Sequence, residues 1–174
     1  MSECRLRAAL AALLLLPGLL APPAPAAENG LTALSEKLEK GGLVAAGALV
    51  VAARSFKDGS AQLDACSGGR VERVSIDPEG RVERSPAGRL SEATLEEVRV
   101  CATDAARAAV RRLGEKELRV RAVVLETREP RAEYLAYAYD EGGEFAGTCR
   151  IDPSDGSWAG WDEGVGERDP LGGR

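Results

Sequence analysis

The sequence predicts an α+β protein made of two repeated units, each a helix followed by an antiparallel three-strand meander, with the helices packed on one sheet face. Three observations predict it. The stretch 68–84 (GGRVERVSIDPEGRVER) is echoed by 142–160 (GGEFAGTCRIDPSDGSWAG): a Gly-Gly pair, alternating residues, Ile-Asp-Pro and a glycine turn. The spacing of the echo is nearly constant, 74 residues from Gly68 to Gly142, 75 from Asp77 to Asp152, and 73 from Val50-Val51 to Val123-Val124. A helical apolar period precedes the strands of each copy.

Residues 1–26 read as a secretory signal peptide, with Arg5 and Arg7 before the apolar stretch 8–20 and Ala24-Pro25-Ala26 as the small-residue cleavage site. The stretch falls short of the ~20 residues a membrane span requires. A secreted or periplasmic protein without stable membrane insertion after cleavage is therefore expected. Cleavage after Ala26 removes Glu3, Arg5 and Arg7 and leaves 21 basic against 27 acidic residues, net −6. With this charge, and no basic run, the chain lacks the electrostatic footprint of a nucleic-acid binder.

The first unit spans residues 28–84. Leu31, Leu34 and Leu38 have helical spacing over 31–40, and Gly41-Gly42 supplies the stop. Residues 43–53 mix Ala and Gly with Leu49-Val50-Val51 and read as helix up to Gly47 or as strand. Strands follow over 61–66 and up to Ile76-Asp77-Pro78, separated by glycine turns. Residues 85–90 (SPAGRL) read as a linker.

The second unit spans residues 91–161. Ser91 is placed to cap one long helix over 92–113, whose apolar stripe is Leu95, Val98, Cys101, Ala105 and Ala109. Its strands cover 118–125, 132–139 and 145–151. In the first of these Leu118, Val120, Ala122 and Val124 alternate with Arg119 and Arg121, as in a half-buried strand. Residues 162–174 have little to bury and are expected to be disordered.

The strand–turn pattern resembles that of PepSY domains. The matching residues are Gly69, Val71, Val74, Ile76, Asp77, Gly80 and Val82 in the first copy. In the second they are Gly143, Phe145, Cys149, Ile151, Asp152, Gly156 and Trp158. The resemblance covers most of the sequence after the signal peptide. PepSY units occur in propeptides of thermolysin-like metalloproteases and in bacterial envelope proteins, so it implies a protein partner, a protease among them. The tandem arrangement is also similar in architecture to β-lactamase inhibitory protein. Both imply a non-enzymatic protein-binding module, a protease inhibitor or modulator. The alternative is a structural or assembly accessory protein of the cell envelope.

The residue inventory agrees with a non-catalytic reading. The chain has no histidine, which excludes Ser-His-Asp and Cys-His catalysis and histidine-built zinc sites. It has no C-x-x-C pair and no glycine-rich loop leading into a helix. No catalytic residue, metal or cofactor is expected. Asp77 and Asp152, the repeated carboxylates, are expected to accept backbone N–H bonds in Asp-Pro turns rather than to bind calcium.

Three cysteines follow the signal peptide. Cys149 shares a strand face with Phe145 and Ile151, Cys101 lies in the helical stripe, and Cys66 alternates with Gln62 and Asp64 on a polar face. Parity therefore predicts a Cys101–Cys149 disulfide and a free thiol at Cys66, facing solvent and able to link two copies as a homodimer. Trp158, Trp161 and Tyr134 are the candidate interface residues, since large amphipathic rings anchor most protein interfaces.

Overall fold

The computed structural model describes residues 31, 42–45, 47–128, 131–164 and 169–172. The expected signal peptide and the expected first helix, apart from Leu31, lie outside the described residues. Eight strands are present among the described residues: β1 (Leu49–Ser55), β2 (Ala61–Ser67), β3 (Arg70–Ile76), β4 (Val82–Arg89), β5 (Arg119–Arg128), β6 (Arg131–Tyr139), β7 (Phe145–Ile151) and β8 (Trp158–Glu163). Helices α1 (Glu92–Glu97) and α2 (Ala102–Leu113) and a 3-10 turn over Gly114–Lys116 all fall in the connection from β4 to β5.

The expected pair of helix-plus-three-strand units is overturned. All eight strands form a single antiparallel sheet, ordered β4-β3-β2-β1-β5-β6-β7-β8, and the fold is mainly β. Each meander has four strands, not three. The two are fused where β1 pairs with β5, through Ala52 opposite Val124, Ala53 opposite Val123 and Arg54 opposite Ala122. The expected linker over 85–90 belongs mostly to β4. Pro86 and Gly88 look like loop punctuation, but an edge strand tolerates both because one side of its backbone needs no partner. β8 likewise runs through Glu163, into the stretch expected to be disordered. Beyond it, Tyr139 Oη donates to Asp169 Oδ1 at 2.7 Å.

The long helix expected over 92–113 is broken. Ser91 Oγ does accept from the Thr94 amide, at 3.1 Å, but α1 ends after Glu97. The amides of Arg99 and Val100 then donate to the Pro153 carbonyl at 2.9 and 3.0 Å, so the β7–β8 turn satisfies the backbone that leaves the helix. Cys101 is the N-cap of α2 rather than a member of a continuous stripe.

α2 buries Ala102, Ala105, Ala106, Ala109 and Leu113. These small side chains bring its axis close to the sheet, where it lies mainly on β5 and reaches β1, β6 and β7. Beneath it, Val50, Ala53, Leu63, Val123, Ala136, Cys149 and Ile151 form the core with Tyr134. A second, smaller cluster of Val51, Cys66 and Val71 sits by the β2–β3 turn and is closed by Leu90 and Leu95.

Candidate binding surface

Among the described residues β8 is an edge strand, hydrogen-bonded to β7 alone. Its approach is set by the Asp152–Ser157 turn. Asp152 Oδ1 accepts from the Ser154 amide at 2.8 Å, and the Gly156 amide donates to the Asp152 carbonyl at 2.9 Å. Gly156 has φ +75°, a conformation that glycine adopts without cost. Asp77 is used in the same way: its Oδ1 accepts from the Arg81 amide at 2.7 Å. Turn geometry thus occupies both repeated aspartates. Among the described residues no group of three or more His, Cys, Asp or Glu side chains is placed to hold a metal ion.

Trp158 stands opposite Ile151 and Trp161 opposite Cys149, so both indoles lie on the α2 side of the sheet. Each is partly buried and packs on the core. The Arg112 guanidinium carbon lies 5.8 Å from the Trp158 ring centroid, and Lys116 Nζ lies 5.6 Å from that of Trp161. Such cation–π contacts fix ring orientation and contribute on the order of 1 kcal/mol each. Next to Trp158 is an open depression of about 370 Å³, bordered by Ala108, Arg111, Arg112, Ile151 and Gly156.

Tyr134 does not join this surface. It is 0 % exposed, and its hydroxyl donates to the Val100 carbonyl at 3.0 Å. Burial pushes its pKa up, as does the nearby Cys101 and Asp104. The earlier assignment of Tyr134 to an interface is corrected on that ground: strand parity turns its ring toward the helix, and α2 with its preceding loop covers it.

The cysteines also depart from expectation. Cys66, Cys101 and Cys149 are all thiols, and the expected Cys101–Cys149 bond is not formed. Cys101 begins α2 and contacts Thr103 Oγ1 at 2.7 Å, whereas Cys149 lies beneath Trp161, within the electrostatic reach of Lys116 beyond the other end of the helix. Burial pushes the Cys149 thiol up to about 12, with Lys116 opposing it weakly. Cys66 is 4 % exposed rather than solvent-facing, and desolvation raises its pKa. Parity places it beside Gln62 and Asp64, but the chain leaving β4 folds over it: the Leu90 amide donates to the Gly69 carbonyl at 2.9 Å and Leu95 closes the gap. A thiol so enclosed does not face solvent as the sequence predicts, and is not presented to a second copy.

The sheet face opposite α2 carries a charged triad that sequence reasoning missed. Arg73 Nε and Nη2 donate to Asp64 at 2.7 and 2.9 Å, and Arg54 Nη1 donates to the same carboxylate at 2.9 Å. Burial opposes ionisation of Asp64, but the two arginines outweigh it and hold its carboxyl below the usual range. The only sequence signal was one charge at the same parity in each of three strands.

No helix among the described residues is long and apolar enough to cross a membrane. No family model matches the chain, and no curated protein matches it. Among solved structures it is similar to a candidate lipoprotein from Clostridium difficile 630, at 13% identity over 75% of this chain and 90% of that one, with a TM-score of 0.37. That likeness is too distant to transfer either fold or function.

Proposed function

We propose that this protein is a secreted or periplasmic, non-enzymatic binding module that docks another protein along β8, with Trp158 and Trp161 as anchors. The observation that carries the reading is an unpaired sheet edge bearing two half-buried indoles beside an open depression. A partner strand added there would gain main-chain hydrogen bonds from β8, and alternate side chains would reach the tryptophans and the depression. The opposite edge suits this poorly, since β4 carries Pro86, Gly88 and three charged residues, Glu83, Arg84 and Arg89.

A non-catalytic role is supported by the direction of the titrations. The buried thiols Cys66 and Cys149 and the buried tyrosines Tyr134 and Tyr139 are all held more protonated than usual, the opposite of an activated nucleophile. The leader-like residues 1–26 support the location, and the PepSY resemblance supports a protease as the partner class.

Both tryptophans of the chain lie in β8, so its tryptophan-selective fluorescence, with the partner's own emission subtracted, reports on this edge. Titration with a co-secreted metalloprotease is expected to shift the emission saturably and to reduce proteolysis with the same midpoint. Replacing Trp158 and Trp161 together by Ala should move that inhibition midpoint at least about tenfold, in line with loss of an aromatic anchor. Unchanged proteolysis at saturation would remove the inhibitor role, and equal inhibition by the double variant would remove the β8 site.

A further inference from the structure

One end of the sheet gathers cations that nothing above employs. Lys57 lies in the β1–β2 turn, Arg119 and Arg121 begin β5, and the β6–β7 turn over Asp140–Gly143 closes the other side. Between them is a cleft of about 350 Å³, with Ser55 on its wall and Leu31 and Val120 as its apolar lining. That volume is at the lower end of the range for small-molecule sites.

The charges in this cleft are used differently from those elsewhere. Arg54, Arg73, Arg81, Arg84, Arg107 and Arg150 each reach a carboxylate within 4 Å. The side chains of Lys57 and Arg119 form no hydrogen bond or ion pair among the described residues. Arg121 stacks its guanidinium carbon 5.2 Å from the Tyr139 ring centroid, a contact that leaves its N–H groups available.

The aspartates nearby are hydrogen-bonded to neutral donors and keep their charge. Asp140 Oδ1 accepts from the Glu144 amide at 2.9 Å, and Asp58 Oδ1 accepts from both the amide and the hydroxyl of Ser60. Glu141 stands exposed on the rim. Gly143 leaves room for the lysine: a Cβ there would lie 3.2 Å from Lys57 Cε and 3.5 Å from its Nζ, and φ is +80°. Asp58 lies within electrostatic range of Arg121. Asp140 and Glu141 line the cleft with Lys57, Arg119 and Arg121, so the lining carries three cations against two carboxylates and is left net positive in a chain of net charge −5.

We propose that this cleft binds a small oxyanion, a carboxylate- or phosphate-bearing molecule held by Lys57, Arg119 and Arg121. The guanidinium forks of Arg119 and Arg121 match two oxygens of either group, and Lys57 adds a point charge from the opposite turn. The site is independent of the β8 edge.

The test is amide-resolved NMR titration of the chain lacking residues 1–26, at constant ionic strength, with inorganic phosphate and separately with citrate. Saturable shifts are expected at Gly142 and Gly143, and the anion that produces them tells phosphate from carboxylate chemistry. Lys57→Gln combined with Arg119→Gln should weaken that binding at least about tenfold, as loss of two charge-assisted contacts requires, while the melting temperature stays unchanged. Gly143→Ala, which crowds the ammonium, should weaken it as well. If neither anion saturates at this turn, or the double variant binds as tightly as the parent, the proposal is wrong.

Discussion

Counted outward from the Ile-Asp-Pro turns, the two halves of the sheet put different side chains at the same places. Opposite Ile76 stands Ala61, whereas opposite Ile151 stands Tyr134. The Asp64–Arg73 pair in the first half becomes Tyr137–Thr148 in the second, and Cys66–Val71 becomes Tyr139–Phe145. Tyr139 and Phe145 meet edge-on with ring centroids 5.6 Å apart. The first half fills its faces with small residues, an ion triad and the returning chain at Leu90 and Leu95. The second half fills them with rings, Tyr134 beneath α2 and Tyr137, Tyr139 and Phe145 on the other face. One backbone plan thus tolerates two different interiors, one electrostatic and thin, the other aromatic and deep.

The largest effect expected is at Tyr134. Replacing this buried ring by Ala should cost about 3–5 kcal/mol, and Tyr134→Phe about 1 kcal/mol through the Val100 hydrogen bond. Ala61→Gly, at the matching place, should cost about 1 kcal/mol. Urea unfolding followed by circular dichroism measures all three. Equal costs for Tyr134→Ala and Ala61→Gly would break the contrast between the halves.

Next in size is the spacing of the outer strands. A Cβ on Gly147 would fall 2.5 Å from both the Asp162 carbonyl oxygen and Trp161 Cζ2, whereas one on Gly88 meets nothing within 4 Å. Gly147→Ala should therefore cost about 2–3 kcal/mol by pushing β8 away. Gly88→Ala, which bears only the backbone strain of φ +132°, should cost about 1 kcal/mol. Hydrogen exchange sharpens the comparison: in Gly147→Ala the β7–β8 amides should lose protection before those of β3–β4.

The two interiors should also fail at opposite ends of the pH scale. Asp64 has a folded pKa below its unfolded value, so its contribution is complete above about pH 4 and is lost as pH falls through the folded value. Tyr134 and Tyr139 have folded pKa values above the unfolded value. Their contribution is complete below about pH 10 and is lost as pH rises beyond it. Asp64→Asn should cost about 1–2 kcal/mol at neutral pH, modest because Arg73 is partly solvated, and should flatten the acid limb of the stability curve. An unaltered acid limb would mean that other carboxylates govern it.

Local pattern made the strands and turns legible. The alternation over 118–125 and the Asp-Pro-Gly chemistry at Asp77 and Asp152 predicted elements that are present. What local pattern does not carry is pairing between distant segments, and so the β1–β5 seam that makes one sheet was missed. The helix break was hidden because Val98 and Val100 extend the apolar period, while the deciding acceptor is the carbonyl of Pro153, some fifty residues on. Arg119 and Arg121 were legible only as the alternating polar residues of a strand, because only that seam brings Lys57 to them. The tryptophans were legible by type, and Tyr134 was misassigned because parity gives a face without saying what covers it.

The smallest change in stability, and the sharpest question about the edges, concerns Pro86. Every residue of β4 is exposed, and Val82 is 40 % exposed, yet this strand is paired with β3 along its length. A long exposed edge is a template for further pairing unless the sequence blocks it, and proline blocks it by removing a donor and restricting its neighbour. β8 has no proline and carries its tryptophans instead. Pro86→Val should change unfolding free energy by less than about 1 kcal/mol, as surface substitutions do. It should nevertheless let β4 pair with another copy, so sedimentation velocity should show concentration-dependent dimers absent from the parent. A variant that stays monomeric at millimolar concentration would show that the charges of β4, rather than its proline, keep that edge single, and would leave β8 distinguished from β4 by its rings alone.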